Sequence, residues 1–583
     1  MAQDDKDIPK TSYPWKRLVG AAWRLARPYW FFEGGLLAWS LLGLVVGLNL
    51  LEVYLSVQFN TWNRNFYDAL QKFDEPAFWS LILRFSLLAA FFIGQGVSNR
   101  YFTRVLQNRW RRWMTRRTLD RWLSDKSHYL WQLSGAATDN PDQRITEDVR
   151  DFVSQSLDLS LGFLNQAVTL CSFIAILWGL SGPLQVPLAG GHSVTVPGYM
   201  AWVCLVYAVL GTWLSHRIGK PLIGLNYRQQ RYEADFRFGL VRLRENGESV
   251  ALSEGEEVEK RGLGAQFEWI YGNFMAIVRK QMHFNFFSVG YDQAAIIFPY
   301  LVAAPRFFAK QLTLGNLFQV ADAFGQVKDA LSWVVNNYPT LAFWSSVVER
   351  LDGFEDEIAH TKRLRRTALG LAGFSAKPGT LSLEGLSLSV PGGTGPLAAP
   401  LNAEFHAGSS VLISGPSGCG KSTLLRALRG LWPFAEGRIL LPEGASVMVI
   451  PQKPYLPVGS LKGALAYPSP EDSVDDAAIL ELLPLVRLQQ FAGQLHHQDN
   501  WALVLSVGEQ QRVAWARVFL HRPDWLFLDE ATSALDEATQ NSIYEALKAR
   551  LPGTTMVSVA HTHNPRAHHA LVWGFGDPSL EPL

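Results

Sequence analysis

The sequence predicts two folds in one chain: an α-helical transmembrane domain of six spans over residues 1–355, then, after a linker over 356–379, an α/β phosphate-loop nucleotide-binding domain over 380–583. Three observations predict this. Long apolar segments separated by basic loops fill the first part, and Gly415-Pro-Ser-Gly-Cys-Gly-Lys-Ser422 is a glycine-rich phosphate loop. Leu505-Ser-Val-Gly-Glu-Gln-Gln-Arg512 and Leu526-Phe-Leu-Asp-Glu530 then follow it in order.

A length of 583 residues exceeds one ordinary soluble domain, and a membrane bundle plus one nucleotide domain accounts for it. The formal net charge of +1 conceals an asymmetry, because arginines crowd into particular loops while the apolar runs carry few charges. Cys171, Cys204 and Cys419 are too few and too scattered for a disulfide framework or a zinc site. No short apolar core with a cleavage site follows the N-terminus, so no cleavable signal peptide is expected.

Crossing about 30 Å of hydrocarbon takes about 20 apolar residues. Segments of that kind lie near 33–57, 78–98, 157–180, 197–215, 284–304 and 314–344, the last amphipathic. Six spans put both ends of the chain on one side. Arg100, Arg104, Arg109, Arg111, Arg112, Arg116, Arg117 and Arg121 fill the loop after the second span, whereas 181–197 carries no Lys or Arg. By the positive-inside bias the arginine-rich side is cytoplasmic, which places the nucleotide domain with the ATP. A nucleic-acid patch is the alternative use of such a run, but its place between spans makes topology and anionic headgroup contact the simpler account. A lipid bilayer, and no nucleic acid, is the expected partner.

Glu52, Asp292, Asp322, Lys328 and Asp329 interrupt the spans. Charges at membrane depth face a bundle interior or a wet cavity, which suits a hydrophilic solute, unless these residues lie at interfaces or in extensions beyond the bilayer.

In the second half, Leu381–Val390 alternates as a strand does. Val411–Ser414 is a short apolar strand, the glycine loop follows, and Lys421–Leu431 has helical spacing. Glycines let backbone amides approach phosphate oxygens, the helix N-terminus adds partial positive charge, and Lys421 brings an ammonium to the β and γ phosphates. Ser422 supplies a hydroxyl to Mg²⁺, as does the carboxylate of Asp529 at the end of an apolar strand. Glu530 is placed to deprotonate the attacking water. His561, His563, His568 and His569 lack acidic or cysteine partners at ligand spacing, so no metal site is expected there.

Leu505–Arg512 resembles the signature sequence of the ATP-binding cassette (ABC) family, which other phosphate-loop ATPases lack. The resemblance implies a homodimer of exporter-type (type IV) half-transporters in which two cassettes sandwich two ATP molecules with Mg²⁺. It assigns the nucleotide to Gly415, Ser417, Gly418, Cys419, Gly420, Lys421, Ser422 and Thr423 of one cassette and to Ser506, Gly508 and Glu509 of the other. It makes Gln452 a sensor of Mg²⁺ and water, Glu530 the general base, Ser533–Asp536 a dimer-contact loop and His561 the switch histidine. Val507 and Glu509 depart from the commonest signature, and Val390 stands where an aromatic residue usually stacks on adenine.

Val57–Leu70 and Asn140–Ile145 are similar to the SbmA/BacA bacterial uptake permeases in their ATPase-fused form, and Glu233–Gly255 to a motif shared with ABCD half-transporters. That resemblance implies an importer of peptides, cobalamin or other hydrophilic solutes in the bacterial inner membrane, with cytoplasmic termini. An ABCD-like translocator of acyl chains and a membrane-anchored regulatory ATPase without transport are the rival readings.

Overall fold

The computed structural model describes residues 13–133, 140–187, 193–375, 377–393, 395–559, 564–576 and 580–582. Its contacts divide the chain into two units, Met1–Leu119 with Asn140–Glu355, and Asp120–Asp139 with Asp356–Leu583.

The first unit is helical: α1 (Trp15–Pro28), α2 (Gly35–Lys72), α3 (Glu75–Leu123), α4 (Val149–Ser181), α5 (Tyr199–Glu245), α6 (Glu256–Phe308), α7 (Leu314–Asn336) and α8 (Tyr338–Gly370), the ends of α3 and α8 passing into the second unit. Phe73 ends α2 in the left-handed region, and the Asp74 carboxylate accepts the Ala77 amide to start α3. An antiparallel hairpin, β1 (Pro183–Pro187) with β2 (Ser193–Pro197), joins α4 to α5.

Among the described residues, five helices, α2 to α6, are long and apolar enough to cross a membrane. The most apolar window of α3 has no buried residue, and Trp79, Leu83, Phe91, Ile93 and Val97 are exposed along it. A soluble helix hides such a stripe against a core; this one needs hydrocarbon outside. The sixth expected span, 314–344, corrects itself into α7 and the start of α8, which break at Asn337. Asp322, Lys328 and Asp329 lower its apolarity below that of the other five.

Two apolar clusters hold the bundle. Leu18, Ala38, Leu106, Trp110, Phe152 and Val347 join α1, α2, α3, α4 and α8, while Phe173, Cys204, Ala303 and Phe324 join α4, α5, α6 and α7. Buried Asp148 accepts hydrogen bonds from Arg144 at 2.5 Å and Arg350 at 2.6 Å, so its charge is matched twice over. The ionisable groups read from the spans also find partners. Lys328 donates to Asp292 at 2.8 Å and lies 3.2 Å from Asp329, and buried Asn60 donates to Asp322 at 2.6 Å and accepts from Gln319 at 3.0 Å.

The second unit is layered. Six strands run in the order β12 (Leu580–Pro582), β11 (Leu571–Gly574), β6 (Ser410–Ser414), β10 (Thr555–Val559), β9 (Trp525–Asp529), β8 (Val447–Ile450), parallel except for β12. A four-stranded sheet has the order β3 (Ala372–Phe374), β7 (Ala435–Leu441), β4 (Thr380–Leu388), β5 (Leu401–His406). Strand β9 is buried at Trp525–Leu528, the continuous apolar run of a strand covered on both faces.

Two boundaries differ from the sequence reading. Residues 120–133 belong with the second unit, where Leu133 packs on a core containing Leu371, Leu425 and Trp432 and Asp125 lies 3.7 Å from Lys362. The segment 356–379, linker-like in composition, is helical to Gly370 and a strand from Ala372.

Candidate active site

The phosphate loop leaves β6 and enters α9 (Lys421–Leu428) through Gly420, the N-cap at φ +113°, a conformation that favours glycine. A Cβ there would also lie 3.2 Å from Leu397 and 3.4 Å from the Phe575 ring, a tight fit that adds to the backbone's preference for glycine. Helix α9 ends three residues before the expected Leu431. Lys421 is buried, and its ammonium donates to the carbonyls of Gly415 and Pro416 at 2.8 Å each. Ser417 and Gly418 are exposed, and Cys419, Ser422 and Thr423 half-buried.

Strand β9 brings two carboxylates to this loop. Ser422 donates to Asp529 at 2.9 Å, and Gln452, just beyond β8, donates its side-chain amide to Glu530 at 2.8 Å. Glu530 has φ +50°, uncommon for a residue with a Cβ, while its amide donates to the Val559 carbonyl at the end of β10. Parallel neighbours β8, β9 and β10 thus place Gln452, Asp529 and Glu530 at one edge, beyond the carboxyl ends of the strands, where such sheets bind ligands.

The signature residues form a second group around α10 (Val507–His521). Ser506 is its N-cap, donating amide and hydroxyl to the Glu509 carboxylate at 3.0 and 2.8 Å while Glu509 returns its amide. Burial raises the Glu509 pKa, but the Ser506 bonds and Arg512 outweigh it and hold the carboxyl below its ordinary value. Glu509 is therefore a helix-capping group as placed. A Cβ on Gly508 would lie 2.8 Å from the Ala534 carbonyl, so glycine is what lets α10 approach the 533–536 loop. Asp536 caps α11 (Glu537–Arg550) by accepting the Thr539 amide and hydroxyl at 2.8 and 2.7 Å, which hold it below the usual carboxylate range.

A residue given no role by the sequence reading connects the groups. Gln511, buried, donates to the Gln452 carbonyl at 3.1 Å and to the Ser533 hydroxyl at 3.3 Å, and accepts the Ala534 amide at 3.1 Å. A polar side chain on the buried face of α10 was the signal available. His561 lies outside the described residues. Val390 lies beyond the end of β4, exposed, its carbonyl accepting the Gly393 amide in a turn.

Residues 34–308 match the family model described as ABC transporter transmembrane region 2, and residues 398–533 that described as ABC transporter. The inner membrane ABC transporter ATP-binding protein YddA of Escherichia coli is 32% identical over 95% of both chains. The human lysosomal cobalamin transporter ABCD4 is 26% identical, covering 94% of this chain and 92% of its own. A bacterial Atm1-family ABC exporter with ATP bound aligns at TM-score 0.66 and 20% identity over 91% of this chain and 92% of that one. At that identity the likeness concerns the fold, an exporter-type helical domain fused to a cassette.

Proposed function

Since the chain belongs to the ABC transporter family, a membrane protein whose cassette hydrolyses ATP to drive transport, we propose that it acts as a homodimer in the bacterial inner membrane and imports hydrophilic solutes or peptides, cobalamin among them. The observation that carries the ATP-driven part is the meeting of Ser422, Asp529, Glu530 and Gln452 beside the phosphate loop. Cobalamin is suggested by the human relative. The polar groups Asn60, Asp292, Gln319, Asp322, Lys328 and Asp329 within the helices support a hydrophilic solute over an apolar one.

A hydroxyl 2.9 Å from a carboxylate is a hard-oxygen donor set that fits Mg²⁺, so Ser422, Asp529 and Gln452 would hold the ion that arrives with ATP. Bound there, the ion would supply positive charge to offset that of the phosphate oxygens. Lys421 exchanges its loop carbonyls for β and γ phosphate oxygens, with Gly415, Ser417, Gly418, Cys419, Gly420 and Thr423 presenting the loop. Glu530, oriented by Gln452, accepts a proton from the attacking water. Ser506 and Gly508 meet the γ phosphate of the partner's nucleotide, Glu509 secures that helix end, Asp536 shapes the dimer-contact loop, and His561 completes the contact. The arginine-rich side, with both termini and the cassette, faces the cytoplasm.

The test is flux of labelled peptides and cobalamin in sealed right-side-out and inverted vesicles, with ATP or a non-hydrolysable analogue. ATP-dependent uptake in the cytoplasmic direction is expected, and hydrolysis without flux of any candidate would leave a regulatory ATPase. Glu530→Gln should keep ATP bound while turnover falls at least about a hundredfold, since general-base catalysis is typically worth 10² to 10⁴. A second reading, translocation of acyl chains, is favoured by a groove of about 700 Å³ on α6 lined by Val278, Met282, Phe286 and Val289. ATPase stimulated by acyl-CoA and not by peptides or cobalamin would favour it.

A further inference from the structure

A cavity of about 460 Å³ lies among α2, α3 and α4, lined by Asn49, Asn99, Arg100, Thr103, Arg104 and Asp158. The exposed surface of α3 fixes its depth. Phe91, Ile93 and Val97 present apolar side chains, Tyr101 follows with 63% exposure, and exposed Arg100 and Arg104 flank it. Hydrocarbon-facing residues giving way to tyrosine and then arginine mark the level of the lipid headgroups.

The polar groups of the cavity are held but not used up. Arg104 donates one N–H to Gln107 at 2.9 Å, and Gln107 donates to Asp158 at 3.1 Å. Ser154 steadies the other oxygen of Asp158 at 3.3 Å, and Asn49 donates to Asn99 at 3.3 Å. Among the described residues no carboxylate lies within ion-pair distance of Arg100 or Arg104, and Arg100 makes no hydrogen bond through its side chain. Two guanidiniums against one carboxylate leave the cavity one positive charge in excess. That charge suits a phosphodiester, which carries one negative charge, and guanidinium matches its oxygens in geometry.

We propose that this cavity binds the headgroup of a membrane phospholipid, Arg100 and Arg104 taking the phosphodiester, and Asp158 with the amide oxygens of Asn49 and Asn99 taking a hydrogen-bond donor on the headgroup. Ethanolamine, with N–H groups, and glycerol, with hydroxyls, satisfy the second half. Choline does not, because its quaternary nitrogen has no hydrogen to donate. The acyl chains then lie along the exposed apolar face of α3. The site is independent of which solute is carried, and the assignment to the cytoplasmic leaflet rests on the orientation proposed above.

The test is native mass spectrometry of the purified full-length protein titrated with phosphatidylethanolamine, phosphatidylglycerol and phosphatidylcholine of one acyl composition. Retention of the first two at concentrations roughly tenfold below phosphatidylcholine is expected, the size of one good charge-assisted contact. Arg100→Gln and Arg104→Gln should each weaken retention of all three lipids, because all three carry the phosphodiester, whereas Asp158→Asn should narrow the preference, weakening phosphatidylethanolamine more than phosphatidylglycerol. Since Arg100 is exposed and makes no side-chain bond in the fold, its substitution is readable even where the Asp158 variant fails to fold. Equal retention of all three lipids by the parent protein, or undiminished retention of all three in Arg100→Gln, overturns the proposal. Glycerophosphoethanolamine binding as tightly as the whole lipid would also overturn it, showing a site for a free phosphodiester.

Discussion

Lys421 in the second unit and Lys328 in the first are both buried, with 5% and 9% of their surface exposed, yet their ammonium groups are satisfied in opposite ways. Lys421 donates to two carbonyls, five and six residues before it in sequence. Lys328 meets two carboxylates, Asp292 from another helix at 2.8 Å and neighbouring Asp329 at 3.2 Å. Carbonyl dipoles leave the Lys421 charge uncancelled, so an arriving phosphate gains its full attraction. The carboxylates more than cancel Lys328, so it serves the packing of α6 against α7 and leaves a net negative charge there. On the role proposed for Lys421, its neutral partners are what leave its charge available to a phosphate.

Substitution should separate the two. Lys421→Ala is expected to weaken ATP binding roughly tenfold to a hundredfold, the loss of one or two charge-assisted hydrogen bonds, measured by equilibrium titration with a fluorescent ATP analogue. Comparable affinity in variant and parent would break the contrast. Gln511→Ala removes the support of Gln452 without touching Lys421, so turnover should fall roughly tenfold or more with ATP affinity nearly kept. Lys328→Met should leave ATP affinity alone and lower stability by about 1–3 kcal/mol, read by unfolding in detergent, because two partly exposed carboxylates lose their shared partner.

The smallest effect sharpens the comparison by pH. The Glu509 pKa in the fold lies below its ordinary 4.5, so its capping contribution is complete above that value and is lost as pH falls through the folded pKa. Glu509→Ala should cost about 1 kcal/mol at neutral pH. The gap between variant and parent should close on acidification, and a gap that persists would show that Glu509 acts by packing instead.

The same contrast explains what was legible beforehand. The phosphate loop, Asp529 and Glu530 could be read because strand, loop and helix adjoin in sequence, and the chemistry lies in contiguous residues. Gln511 escaped because its role depends on carbonyls from two loops that only the tertiary fold brings to α10. Asp292, Lys328 and Asp329 were visible as charges within apolar runs, but which charge answers which is a property of helix register. The attachment of 120–133 to the second unit rests on Leu133 and Asp125 finding partners more than two hundred residues away.

Strand β9 ends with consecutive acids facing different tasks, Asp529 toward Ser422 and Glu530 toward Gln452, and the left-handed backbone at Glu530 separates them. The two side chains stand on adjoining residues, so a displacement of the backbone at that link reaches both. A shift of the segment carrying Gln452, which bonds Glu530, would bear on the same link that sets Asp529 against Ser422. On the roles proposed above, metal grip and water activation would be coupled through that link, a fork whose tines move together.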